Sequence, residues 1–199
     1  MNTSTETRTA SAQSPVLAPQ ATTWDVDPAH TSAGFKVRHL MVAQVRGHLG
    51  TVSGTVVIDE QAPAASRVDV SIAASGVDTR DAKRDEHLRS ADFFDVANHP
   101  NVTFRSTAVR ALQGKDGGFE VTGDLTIRGV TRAVTLAVEP LTETVADPWG
   151  NTRRGATART RINRKDFGLQ WNVALETGGV LVGEEVAIEI EVELIRRKT

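Results

Sequence analysis

The densest run of chemistry-bearing side chains lies between Val77 and Arg105, VDTRDAKRDEHLRSADFFDVANHPNVTFR. Asp81, Asp85 and Glu86 beside His87 offer carboxylates and an imidazole, the groups that general acid and base catalysis uses. Their spacing places them on one short helix whose only strongly apolar residues are Leu88 and, just beyond it, Phe93 and Phe94. Such a charged face reads more simply as surface ion pairs. Thr79 then serves as the cap, Asp81 and Asp85 lie at the positive end of the helix dipole, and Arg89 follows Asp85 at i+4. Three histidines, His30, His39 and His48, recur every nine residues. An odd separation sends strand residues to opposite faces, and no pair has the H-x-x-x-H spacing of a zinc helix, so no metal site is read from them. His39 reads as a hydrogen-bonded histidine and His99, before Pro100, as a turn residue. With no Cys, no Tyr, no G-x-S-x-G elbow and no phosphate or dinucleotide loop, no catalytic residue and no cofactor is assigned.

The segments that must position these groups alternate apolar and polar residues with period two. Trp24 and Val26 open a first strand, and Asp27-Pro28 turns it. Phe35, Val37 and His39 share a strand face, opposite Lys36, Arg38 and Leu40. A long strand from Val45 to Glu60 contains Gly47, Gly50 and Gly54, which permit the bends of a closing sheet. Arg67 to Ala74 alternates again. Val102 to Leu112 and Phe119 to Arg128, joined by Gly-Lys-Asp-Gly-Gly, form a strong hairpin signal. Ala133 to Pro140, Arg153 to Ile162 and Val186 to Leu194 complete the set, with Asn163 to Asn172 irregular or shortly helical. These elements predict a mainly β chain with a single antiparallel eight-stranded barrel and a short helical insert, the strand number that can enclose one small ligand.

A chain of 199 residues suits one domain, and a net charge of -2 lacks the basic excess of a nucleic-acid surface. The Thr-, Ser-, Ala- and Pro-rich start has no continuous apolar run, so residues 1–22 are expected to be a disordered leader rather than a secretory signal, with the folded domain over 23–197. No stretch approaches the ~20 apolar residues of a membrane span. With no export signal visible, a cytoplasmic location is expected.

Four ordered motifs add to this reading: FKVRHL from Phe35 with Val45-Arg46-Gly47, the DEHLRSADFF core with its Pro-Asn-Val-Thr-Phe exit, GDLTIRGVTRAVTL from Gly123, and INRKDFGLQWN from Ile162. Together they resemble the YceI-like family of lipocalin-like barrels that bind polyisoprenoid or related long-chain lipids. The resemblance spans roughly Thr23 to Arg196. On composition alone the aromatics would simply fill the barrel. The resemblance implies instead an elongated apolar cavity holding a polyprenyl chain or isoprenoid quinone, and it allows a homodimer.

The expected ligand-binding residues are Phe35, Val37, His39, Leu40, Met41, Leu88, Phe93, Phe94, Phe104, Phe119, Phe167 and Trp171. Arg38, Arg46, His87 and Arg89 are the expected head-group mouth, with the helix and the Phe93-Phe94 pair near the entrance. The function expected is non-catalytic carriage or sequestration of lipid. The alternatives are a small hydrolase or isomerase built on Asp85, His87 and Arg89, and a stress-related structural domain with a filled core.

Overall fold

Strands that are apolar at every second position bury that face only by stacking or by closing into a barrel. The structure, a computed structural model, describes residues 21–113, 117–174 and 179–198, and the expected leader lies almost wholly outside them. The strands are β1 (Thr22–Val26), β2 (Ser32–His39), β3 (Ala43–His48), β4 (Val52–Ile58), β5 (Arg67–Ala73), β6 (Asn101–Ala111), β7 (Phe119–Ile127), β8 (Val130–Val138), β9 (Val145–Ala146), β10 (Thr152–Asn163) and β11 (Val182–Arg196). One α-helix, α1 (Ala82–Arg89), follows β5, and 3-10 turns cover Pro63–Ala65, Ala74–Gly76 and Arg164–Phe167. None of the described helices is long and apolar enough to cross a membrane.

Every strand pairing is antiparallel. β1 and β2 lie end to end along one edge of β11, and β3 and β4 lie end to end beside them, so each couple makes one interrupted stave. The ring continues through β5, β6, β7, β8 and β10, and β10 closes it on β11 from Arg153↔Ile195 to Asn163↔Glu185. Eleven strands thus make the expected barrel of eight staves, with the two-residue β9 paired to the start of β10. Gly54 accommodates the curvature. It sits at φ +148°, where a β-carbon would collide with the Asp69 carbonyl across the ladder.

The strand directions sort the connections into two ends. One end, the helix end, gathers the β2–β3 turn, α1, the β7–β8 turn and the segment from Arg164 to Val182. The other, the loop end, gathers the β4–β5, β6–β7 and β8–β10 connections. Phe93, Phe167 and Leu169 are buried at the first, Trp24 and Leu194 at the second.

The helix start departs from expectation. Asp81, not Thr79, is the N-cap, its side chain accepting from Arg84 N at 3.1 Å. Thr79 instead donates from its backbone N and its hydroxyl to Asp85 Oδ1. Asp85 is buried, and a buried carboxylate must be satisfied by nearby donors, so it is held by Thr79 and makes no ion pair with Arg89. Arg89 turns the other way and donates to the carbonyls of Ser75 and Val77, both at 2.8 Å.

Candidate functional site

The inward faces of the staves enclose a cavity of about 620 Å³ that runs from one end of the barrel to the other. β2 contributes Phe35 and Val37, β4 Val56 and Ile58, β5 Val68, Val70 and Ile72, and β11 the alternating Val186, Ile188, Ile190, Val192 and Leu194. Phe104 and Val109 from β6, Phe119 and Val121 from β7 and Leu136 from β8 complete the belt. Period two explains the lining: these positions share the inner face of each strand, and most of their outward neighbours are polar. The Phe35 ring rests against Gly47 on β3, where any β-carbon would meet it at 2.6 Å.

The two ends of this tunnel differ. At the helix end its lining includes Leu88, Phe93, Phe94, Arg164 and Leu169, all buried or half-buried, with the exposed Thr103 at the start of β6. At the loop end the lining includes Glu60, Pro140 and Glu143, which are exposed. The cavity therefore opens at the loop end, opposite α1. The entrance expected beside the helix and the Phe93-Phe94 pair is instead the closed end, because those rings pack inward under α1.

Of the expected ligand-contacting residues, Phe35, Val37, Leu88, Phe93, Phe94, Phe104 and Phe119 line the tunnel. Five others do not. Leu40 and Met41 occupy the tight β2–β3 turn with φ of 51° and 59° and face solvent. His39 ends β2 at that turn, paired with Ala43 and beyond the reach of the tunnel. Phe167 is fully buried in the 3-10 turn outside the lining, and Trp171 packs on Phe93 and His87, the three rings forming a lid over the helix end. There the His87 ring stands edge-on to Trp171 at 4.6 Å and to Phe93 at 5.1 Å, and its Nε2 meets Asp92 Oδ2 at 2.9 Å.

The expected cationic mouth is likewise dispersed. Arg38 and Arg46 point outward on β2 and β3 and are exposed, His87 is in the lid, and Arg89 is bound by carbonyls. Asp85, His87 and Arg89 each have separate partners and do not converge on a shared space. His39 and His48 are separated as well, since His48 pairs with Gly34, five residues from His39 along β2 and so about 16 Å away.

Two arginines define the tunnel ends, and neither was expected. Arg154, Ala156, Ala158, Thr160 and Ile162 share the inner face of β10, and Arg164 follows in the same parity. Arg164 is 4% exposed and donates to the carbonyls of Gly183 (2.9 Å), Trp171 (2.9 Å), Leu169 and Val182. Its burial away from water pulls its pKa down, with the Glu184 charge acting the other way. Arg154, at the loop end, has a side chain 10% exposed that reaches Glu60 Oε1 at 2.7 Å and the Thr142 carbonyl at 3.3 Å. Its guanidinium carbon lies 5.5 Å from the Trp24 ring centroid. Its Nε is buried without a hydrogen-bond partner among the described residues. The period-two alternation of β10, extended one residue beyond Asn163, is the signal that marks both, whereas Arg159 and Arg161 fall on the outward face.

A second polar cluster sits outside the tunnel, where β1 breaks into β2. Asp27, His30 and Glu193 bring ligand atoms within 4.8 Å of one another. Arg153 fills this space: it donates to Asp27 Oδ2 at 2.6 Å, to Glu193, and through Nε to Asp147 Oδ2 at 2.7 Å. With further donors from His30 and the Ala29 backbone, the Arg153 guanidinium draws the Asp27 pKa down to about 2. The cluster is a structural clasp between the stave break and the β9–β10 loop.

The comparisons with known proteins bear on this tunnel. Residues 24–194 match the family model described as YceI-like domain. The chain belongs to the YceI-like family. It is 39% identical over 175 residues to Protein YceI of Escherichia coli O157:H7, covering 87% of this chain and 86% of that one. A UPF0312 protein of Pectobacterium atrosepticum is 38% identical over 176 residues, 88% and 86% of the two chains. Among solved structures, BcnA of Burkholderia cenocepacia superposes with a TM-score of 0.70 at 24% identity over 84% of this chain and 98% of that one. The YCEI protein of Campylobacter jejuni gives 0.65 at 29% identity, covering 86% and 96%. A polyisoprenoid binding domain from Saccharophagus degradans shares the fold, with a TM-score of 0.63 at 15% identity over 87% and 98%. The YceI-like lipocalin-type barrel is thus the architecture of this chain.

Proposed function

We propose that this protein binds one long-chain isoprenoid lipid, a polyprenyl chain or an isoprenoid quinone, and carries it shielded from water without altering it chemically. The observation that carries this reading is the tunnel itself, apolar from Leu88 and Phe93 at the closed end to Ile58 and Leu141 near the mouth. A cavity so lined gains from apolar transfer: at ~0.8 kcal/mol per methylene, ten buried carbons contribute ~8 kcal/mol before the cost of ordering a flexible chain. Membership of the YceI-like family and the naming of a structural neighbour as a polyisoprenoid binding domain point the same way. Exchange proceeds through the loop-end mouth, and the Phe93-Trp171-His87 lid sets the depth to which a tail can enter.

The test is to purify the protein from its native host without detergent, denature it, and weigh what co-elutes. A prenyl lipid at near-stoichiometric amount supports the proposal. Absence of bound lipid, together with failure to take up any prenyl chain afterwards, contradicts it and returns the barrel to a structural role.

A further inference from the structure

Two consecutive large apolar residues occupy a backbone that suits neither. Leu40 (φ 51°) and Met41 (φ 59°) are the central residues of the β2–β3 turn, closed by a hydrogen bond of 3.0 Å from Val42 N to the His39 carbonyl. A tight hairpin turn with both central residues left-handed is the place for Asn-Gly, which adopts that backbone with the least strain. Packing does not offset the strain here, because Leu40, Met41 and Val42 are 39%, 59% and 83% exposed. Leu40 N bonds to the Leu181 carbonyl and Leu181 N to that of Val173. The exposed Val173 therefore lies across one intervening segment, about 10 Å from the turn. The closed end of the barrel thus carries an apolar tip that the fold does not use.

The strands behind the tip are basic. Lys36, Arg38 and Arg46 share the outward face of the β2–β3 hairpin, with Lys36 directly opposite Arg46, and no Asp or Glu occurs from Pro28 to Ile58. In the half of β11 nearest the turn, Glu184 pairs with Lys165, Glu185 with Arg161 and Glu189 with Arg159. Arg159 first, and then Lys36 through space, holds the Glu189 carboxylate below its ordinary pKa. Lys36, Arg38 and Arg46 themselves form no ion pair among the described residues, so the hairpin carries surplus positive charge on a chain of net charge -2. An apolar tip inside a cationic collar matches the surface of an anionic bilayer, where the tip enters the acyl boundary and the collar meets headgroup phosphates. A second copy of the chain fits poorly, since two-fold pairing on this face would set like charges against each other. Nucleic acid would leave Leu40, Met41 and Val42 facing phosphates, with no aromatic ring at the tip to stack on a base. We propose that the β2–β3 turn docks this protein onto anionic phospholipid membranes, with Leu40, Met41 and Val42 inserted and Lys36, Arg38 and Arg46 on the headgroups. The loop-end mouth then faces away from that surface. The inference stands apart from the isoprenoid reading.

The test is flotation of the full chain with vesicles of phosphatidylcholine, and with vesicles in which about one-third of it is replaced by phosphatidylglycerol. Binding to the anionic vesicles is expected to be tighter by about tenfold or more. It should fall as salt rises from ~0.1 to ~1 M, which shortens the screening length from ~10 to ~3 Å. Arg38→Gln together with Arg46→Gln should weaken it by about tenfold or more, each cation near an anionic surface being worth about fivefold. Leu40→Asn together with Met41→Gly suits the backbone of the turn, so that variant should melt no lower than the wild type and yet lose most of its vesicle binding. A purely structural turn predicts vesicle binding that this pair leaves unchanged. Should the turn variant fail to fold, the arginine pair still decides. No preference for the anionic vesicles, or binding that either folded variant retains in full, would overturn the proposal. A dimer in analytical ultracentrifugation that the turn substitutions dissolve would also overturn it and assign the tip to a second copy.

Discussion

Arg154 and Arg164 stand ten residues apart in the same parity, so they face the same tunnel from opposite ends, roughly 33 Å apart if fully extended. Their surroundings make them different devices. Arg164 is nearly inaccessible and its donors are spent on backbone carbonyls of the Leu169–Trp171 and Val182–Gly183 segments, which it ties together. Arg154 is held by one exposed carboxylate and one carbonyl, and its buried Nε has no hydrogen-bond partner among the described residues. One residue type thus ties backbone segments together at the closed end and stands, held by only two hydrogen bonds, beside the opening at the other. Context, rather than the guanidinium, decides which.

The comparison predicts unequal responses to mutation. Arg164→Leu strands several buried carbonyls at once, each costing about 1–3 kcal/mol, and is expected to lower the melting temperature by roughly 10 °C. Thermal unfolding followed by circular dichroism measures this; a shift under 2 °C would show that the closed end does not depend on Arg164. Ala156→Phe, on the inner face of β10, should obstruct the tunnel and reduce prenyl-lipid uptake by about tenfold or more, with the folded signal retained. Undiminished uptake in that variant would place the lipid elsewhere.

Acid should act on the clasp outside the tunnel. The folded pKa of Asp27 lies below its ordinary 3.8, at about 2. Its contribution is therefore present above pH ~4 and is lost as pH falls through the folded value, by an amount on the order of 1–2 kcal/mol. Asp27→Asn should flatten that part of the stability profile between pH ~4 and ~2, read by chemical denaturation at each pH, and an unchanged profile would assign the acid response to other carboxylates. The smallest effect is expected at the open end: Arg154→Met, with no buried carbonyl lattice to strand, should change stability by less than ~1 kcal/mol. A loss as large as that of Arg164→Leu would erase the distinction between the ends.

The barrel was legible because period two survives in almost every strand, from Val186-Ile188-Ile190 to Phe119-Val121. The lid was legible in part: Leu88, Phe93 and Phe94 do line the closed end, since a mostly charged helix must bury its few apolar residues. The mouth was not. Sequence order places Arg38, Arg46, His87 and Arg89 near the motif-rich segments, but which barrel end a loop closes depends on strand direction and length, which pair only in three dimensions. Leu40 and Met41 misled for a related reason, because a three-residue turn reverses the chain before their side chains can follow the face that Phe35 and Val37 begin. Arg154 escaped notice because a cation at an inward strand position looks like an exception to the alternation rather than its functional end.

The most direct test of the account is a crystal structure of the protein with geranylgeraniol bound. The account predicts the tail in the tunnel with its terminal carbons toward Phe93 and Arg164, and the hydroxyl at the loop-end mouth. A chain lying in the opposite direction, or density for the lipid anywhere but the tunnel, would contradict it.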